Sequence, residues 1–132
     1  MNRAEYETAI CKELPRARVV GFKKIAVGDW VPTYNECHKN VDRWIEATPT
    51  HEAVRGWVVY KECAIRATLG LELTTHSVVR NETGDLFDIT PLLDERQRPS
   101  MRFVAHIGDE AVFWVLERTN RFICCPGGAA DP

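Results

Sequence analysis

Long apolar runs are absent from this sequence. No stretch comes near the roughly eighteen uninterrupted apolar residues that a membrane-spanning helix needs. The opening stretch, MNRAEYETAICKELPRAR, also lacks the apolar centre of a secretory signal peptide. We therefore expect a soluble protein, cytoplasmic by default, with no membrane partner.

An excess of charge of one sign is absent as well. The chain has 17 Lys and Arg and 19 Asp and Glu residues, which are interspersed and leave a formal net charge of −2. A protein that binds nucleic acid usually presents a basic face to the phosphates. No segment of the sequence provides such a face, so we do not expect DNA or RNA as a partner.

Cys-x-x-Cys pairs, which are typical of structural zinc sites, are absent although the chain has five cysteines. An odd number of cysteines without a secretion signal argues against a disulfide framework. We therefore expect reduced thiols, and we expect Cys11, Cys63, Cys124 and Cys125 to be buried or terminal. Neither a metal nor another cofactor is expected.

Internal repeats and alternating strand-helix-strand units are also absent, and 132 residues with 45% hydrophobic content are typical of one compact domain. Helical spacing is present in residues 3–14, where Pro15 ends the helix, and in residues 34–47. After Pro49, β-branched and aromatic residues predict strands in four stretches, 53–81, 85–93, 101–108 and 111–125.

These patterns predict an α+β domain that spans residues 1–126. Two N-terminal helices would pack on an antiparallel sheet of five or six strands. The last residues, 127–132, are rich in glycine and alanine and predict a flexible tail.

A cysteine stands where the second predicted helix begins, in the stretch PTYNECHKNVDRWIEA. Thr33 and Glu36 have the spacing of a capping box, and Asn35 is an alternative cap, so Cys37 lies in or just after the first turn. The partial positive charge and free N–H groups of a helix N-terminus stabilise a thiolate. Cys37 is therefore a candidate nucleophile, and the same N–H groups can bind an oxyanion.

A histidine and an aspartate follow on a predicted hairpin. If residues 82–84 form a three-residue loop with Gly84 in the left-handed conformation, His76 lies opposite Thr90. Asp88 is then the diagonal neighbour of His76 on the same sheet face, within side-chain reach. A four-residue loop would turn the two side chains to opposite faces.

The chain order Cys37, His76, Asp88 resembles that of the papain-like cysteine hydrolases. The compact size is similar to their NlpC-like branch, in which a helix-borne cysteine packs on an antiparallel sheet. The segments ECHKNV, HSVVR and GDLFDITP also resemble a set of short uncharacterised bacterial proteins with a Cys-His-x-Asn-Val segment. The resemblance covers about residues 30–91 and consists of order and placement.

The papain-like scheme implies that Cys37 is the nucleophile, His76 the general base and acid, and Asp88 the residue that fixes the imidazole tautomer. The implied chemistry is hydrolysis or deamidation of an amide in a small molecule, peptide or protein. The Asp-Cys-Ser-Gly signature of the NlpC-like cysteine is absent, and Val31 stands where a glutamine would precede the cysteine. Substitutes for the oxyanion hole are the backbone N–H of Cys37 and the side chains of Asn35, Tyr34 or Asn40, with Trp30 at the rim of the site.

Other interpretations stay open. Cys37 on an apolar helix face can be a packing residue of a non-enzymatic binding or interaction domain, or the chain can be an exported effector that modifies another protein. Zinc bound by Cys37, His76 and Asp88 would lack a fourth ligand. An enzyme must leave the sulfur open to a cleft, whereas a packing cysteine is covered.

Three further histidines compete for a role. His38 is expected at the boundary of the apolar arc, because neighbouring helix residues do not face one another. His106 is a rival base on another strand, with no acid at strand spacing after it. His51 follows Thr50 in a loop and is expected to be exposed.

Overall fold

The computed structural model describes residues 1–65 and 68–127. These residues form three α-helices, α1 (Arg3–Lys12), α2 (Cys37–Ala47) and α3 (Glu110–Thr119). They also form six strands, β1 (Arg18–Val19), β2 (Glu52–Ile65), β3 (Thr68–Arg80), β4 (Leu86–Phe87), β5 (Arg102–Ala105) and β6 (Phe122–Pro126). Short 3₁₀ helices occupy Leu14–Arg16 and Glu95–Ser100. Within the described residues, no helix is both long and apolar enough to cross a membrane.

The six strands form one antiparallel sheet, which confirms the predicted α+β class. The strand order is β1-β5-β2-β3-β4, and β6 also pairs with β3. One edge of β3 is occupied by β2. On the other edge, β6 pairs with residues 70–74 and β4 with residues 79–80. The middle of β3 therefore lies between two short strands.

The sheet buries apolar side chains on both faces. On one face, Trp57 and Leu73 pack with Tyr6 of α1 and Phe113 of α3. On the other face, alternate residues such as Val58 pack with residues of β5 and with the segment after β1. A third cluster joins α2 to the end of β3 and to β4. The N-terminus of α2 is thereby held beside the middle of β3.

The first part of the strand predicted at residues 111–125 is wrong, because residues 110–119 form α3. The side chain of Asp109 accepts from the N–H of Ala111 and caps this helix at its start. Phe113 and Leu116, three residues apart, are buried, while Val112 is exposed. The β-branched and aromatic composition suggested a strand, but the cap and the burial spacing are those of a helix.

The first turn of α2 is built differently from the predicted capping box. Glu36 is the N-cap and makes no side-chain cap bond, and Asn35 has a left-handed φ of 63°. The side chain of Asn40 instead bonds the N–H of Thr33 at 3.0 Å and its carbonyl at 2.8 Å. Both predicted caps are therefore wrong, while the placement of Cys37 in the first turn is confirmed.

Four cysteines form disulfides, so the prediction of reduced thiols is wrong. Cys11 pairs with Cys125, and Cys63 pairs with Cys124, whereas Cys37 is free. The bridged residues are 114 and 61 positions apart in the chain, and only the docking of β6 brings them together. Disulfides persist mainly in oxidising compartments. The cytoplasmic location stays a prediction, and the paired cysteines do not favour it.

The predicted flexible tail, residues 127–132, lies outside the described residues except for Gly127.

Gly56 of β2 lies opposite His76 of β3, and its lack of a side chain allows β5 to pack closely against it. A Cβ at residue 56 would overlap the carbonyl of Val104 and the ring of Phe103. We expect Gly56→Ala to lower the free energy of unfolding by about 1–3 kcal/mol, as overpacking does. Urea denaturation measures this change. Gly21→Ala is the matched control, because nothing lies within 4 Å of its added methyl group; equal stabilities for the two variants would contradict the prediction.

Candidate active site

The predicted hairpin is confirmed, and it pairs His76 with Asp88. Gly84 has a φ of 90°, and the N–H of Asn81 donates to the carbonyl of Asp85 at 2.9 Å, which closes a three-residue loop. His76 Nε2 lies 2.6 Å from Asp88 Oδ2. Because Nε2 faces the carboxylate, Nδ1 is the ring nitrogen left for another partner.

The carboxylate of Asp88 is held from several sides. Its Oδ1 accepts from the N–H of Thr90 at 3.0 Å, and its Oδ2 accepts from Arg98 Nη1 at 2.9 Å. The backbone of Asp88 also bonds Gly21 and Lys23, each at 2.8 Å. These contacts fix the carboxylate, and through it the orientation of the imidazole ring.

Arg98 is a buried residue of the site that sequence reasoning missed. Its guanidinium bonds the Glu95 carboxylate at 2.7 and 2.8 Å and the carbonyl of Thr90 at 2.9 Å. The cation also lies 4.8 Å from the ring centroid of Phe22. The sequence DERQRPS indicated only a polar turn, because nothing in it distinguishes Arg98 from the exposed Arg96.

Cys37 is partly exposed and lines a cleft of about 930 Å³ together with His76. Burial by itself would raise the pKa of Cys37, but the side chains of His38 and His76 outweigh this effect and lower the pKa to about 6. Burial would lower the pKa of His76, but Asp88 and Cys37 outweigh it and raise the pKa to about 10. At neutral pH the two residues therefore form a thiolate and imidazolium pair.

His38 lies at the same sulfur and is partly buried. Its Nδ1 is 3.8 Å from Cys37 Sγ and 2.6 Å from Ser77 Oγ, and its Nε2 is 3.4 Å from Glu117 Oε1. Consecutive helix residues diverge in a helix interior, which is why the sequence placed His38 at a boundary. At the start of α2 both side chains reach the edge of β3. The adjacent Cys-His pair is the only feature of the sequence that indicates this contact.

Arg55 connects the elements around His38. Its guanidinium donates to Ser77 Oγ at 2.9 Å, to Glu110 at 2.9 Å and to Asp42 at 2.5 Å, and it lies over the ring of Trp114. One buried cation thus connects α2, α3, β2 and β3.

Of the four predicted contact residues, Tyr34 and Asn35 line the cleft. Asn40 is buried, and its amide N–H groups donate to Thr33 and to Thr90 Oγ1, so it is neither solvated nor free to bind an oxyanion. Trp30 does not line the cleft and packs under the guanidinium of Arg43.

The other two histidines lie away from the cleft. His106 bonds the hydroxyl of Tyr6 at 2.6 Å and the carbonyl of Asp109 at 2.8 Å. His51 accepts from Trp44 and pairs with Glu82 at 3.3 Å, so its side chain is partly buried and the prediction of an exposed His51 is wrong. Among residues 1–65 and 68–127, no group of three or more His, Cys, Asp or Glu side chains is placed to hold a metal ion.

Comparisons with protein-family models, with curated proteins and with solved structures found no match to this chain. The papain-like resemblance stays a prediction that rests on the residues described above.

Proposed function

We propose that this protein is a cysteine hydrolase that cleaves an amide or a related acyl bond, with a papain-like use of Cys37, His76 and Asp88. The observation that carries the proposal is a partly exposed thiol at a helix start, in a cleft, beside a histidine whose far nitrogen is bound by a buried carboxylate. This combination supplies an activated nucleophile and a proton donor at one point.

In the proposed reaction, the Cys37 thiolate attacks the carbonyl carbon, a C–S bond forms and the carbonyl electrons move to oxygen. The first backbone N–H groups of α2 have no acceptor within the helix and can stabilise this oxyanion. Collapse of the intermediate breaks the C–N bond, and the leaving amine takes a proton from His76. Water then hydrolyses the thioester, and a histidine at the sulfur takes the proton of that water.

The pH dependence of Cys37 alkylation tests this proposal. Only the thiolate reacts with iodoacetamide, so reactivity rises with pH through the pKa of Cys37, with a midpoint near 6 in the wild type. In His76→Ala the imidazolium is lost, and we expect the midpoint to move up by about two units, which slows alkylation at pH 7 about tenfold. Peptide mass spectrometry measures the modified fraction at Cys37.

His51→Ala is the matched control, because His51 also pairs with a carboxylate but lies outside the cleft. We expect its midpoint to equal that of the wild type. A wild-type midpoint at the ordinary thiol value, or a midpoint unchanged in His76→Ala, would contradict the hydrolase and favour a binding module.

A protein-modifying effector is a second candidate, and the two disulfides favour it. Structural disulfides are typical of proteins that leave the cytosol. Exposed apolar side chains also rim the cleft, with Tyr60 61% and Leu93 82% exposed, and such rims suit a peptide or protein substrate.

A further inference from the structure

Two histidine and carboxylate pairs lie beside the Cys37 sulfur. The first is His76 with Asp88, and the second is His38 with Glu117. The two pairs differ in access, because the side chain of His76 is 8% exposed and that of His38 is 19% exposed. Both histidines line the cleft, but Glu117 lines it as well, whereas Asp88 does not.

The surroundings of His38 orient its ring. Nε2 lies 3.4 Å from the Glu117 carboxylate, and Nδ1 lies 2.6 Å from Ser77 Oγ and 3.8 Å from Cys37 Sγ. A ring that keeps its proton on Nε2, toward the carboxylate, has Nδ1 beside the sulfur to take the proton of a water, as a general base requires.

Aromatic and polar side chains contact both members of the second pair. The rings of Phe113 and Trp114 meet the imidazole of His38 edge-on, at centroid distances of 5.7 and 5.1 Å. The Glu117 carboxylate accepts from Thr75 Oγ1 at 3.3 Å and lies 4.0 Å from Arg121 Nη1. The charged groups around His38 are therefore Glu117 and Arg121 of the α3 region, Arg55 through Ser77, and the Cys37 thiolate.

We propose that His38, oriented by Glu117, is the base that activates water for hydrolysis of the acyl-enzyme, while His76 serves the attack on the substrate. This inference rests on the proposed function. His76 is enclosed by Asp88 and by the ring of Phe103, whose centroid is 6.4 Å away, and it reaches the cleft beside the sulfur. His38 is the more exposed of the two histidines, so a water from the cleft can reach the thioester carbon more easily on its side.

The proton balance of this step is complete. Water adds its oxygen to the thioester carbon as its proton moves to His38 Nδ1. The C–S bond then breaks, which releases the carboxylic acid and restores the Cys37 thiolate. His38 returns its proton to solvent, and His76 takes up from solvent the proton that it gave to the leaving amine.

The test uses p-nitrophenyl acetate, whose leaving group needs no proton, so acylation and deacylation are separated. Each variant is assayed about one pH unit above its own alkylation midpoint, so that Cys37 is a thiolate throughout. The p-nitrophenolate burst reports acetylation of Cys37, and intact-protein mass spectrometry follows loss of the acetyl group. The variants are His38→Gln and Glu117→Gln. His51→Gln is the control, because the pair of His51 and Glu82 lies outside the cleft.

We expect His38→Gln to keep the burst and to lose the acetyl group about a hundredfold more slowly, which is within the range of general-base catalysis. Glu117→Gln should slow deacylation less, and His51→Gln should match the wild type. Wild-type deacylation in His38→Gln would overturn the inference while leaving the proposed function intact. A wild-type enzyme that releases no p-nitrophenolate above the uncatalysed rate, or whose acetyl group never leaves, would overturn the proposed function itself. If thermal melting shows that His38→Gln is unfolded, an unchanged deacylation rate in Glu117→Gln overturns the inference.

Discussion

Replacement of Arg98 with methionine is expected to lower the free energy of unfolding by about 3 kcal/mol, the cost typical of breaking a buried charge pair. Arg98 is buried and donates to Asp88 Oδ2, to the carbonyl of Thr90 and to Glu95. Without it, the buried carboxylate of Asp88 keeps His76 as its one charged partner among the described residues. The thiolate of Cys37 should survive, because Asp88 still holds the proton on His76.

Urea denaturation at neutral pH measures this change, and Cys37 alkylation provides the second readout. Arg96→Met is the matched control, because Arg96 bonds Asp94 at 2.9 Å but its side chain is 91% exposed. An exposed pair contributes little, so we expect no measurable change in that variant. Equal stabilities for the Arg98 and Arg96 variants would show that the buried cation does not support the site.

The second large effect concerns the disulfide between Cys11 and Cys125. The bridge closes a loop across 114 positions and joins α1 to β6 in the core, where Cys125 is fully buried. Cross-links that close loops of about 100 residues restrict the unfolded chain by up to about 4.7 kcal/mol. We expect the double variant Cys11→Ala, Cys125→Ala to lose about 4 kcal/mol of the free energy of unfolding.

Urea denaturation without reductant measures this loss. Cys37→Ser is the control, because Cys37 is free and its removal leaves both bridges in place. A double variant as stable as the wild type would contradict the prediction. Loss of the bridge should also destabilise the wall of the cleft, because Phe122 at the start of β6 and Glu117 of α3 both line it.

The hairpin that carries His76 and Asp88 was predictable from a few local residues. A glycine at the left-handed position selects the loop length, and the loop length sets the register. Because side chains alternate along a strand, that register decides which residues share a face. The placement of Cys37 at a helix start followed in the same way from the apolar spacing of α2.

The strand that the sequence predicted across α3 is wrong for a physical reason. Valine and aromatic residues favour strands because they fit a pleated, half-buried surface, and this preference depends strongly on tertiary context. Here Phe113 packs against Trp57 of β2, and Leu116 is buried beside it in the same cluster. Burial of residues three apart stabilises a helix at this position. Val112 and Val115 stay on the exposed side, at 44% and 49% exposure.

Local sequence was enough to predict the α+β class, the position of Cys37 at a helix start and, for a three-residue loop at Gly84, the shared face of His76 and Asp88. Each of these features depends on residues that are close in the chain. The other features of the site depend on contacts between separate elements. The tertiary structure paired four cysteines through β6, placed Arg98 behind Asp88 and brought Glu117 to His38. These contacts join residues from separate elements, and their formation depends on how the sheet and helices pack rather than on local spacing.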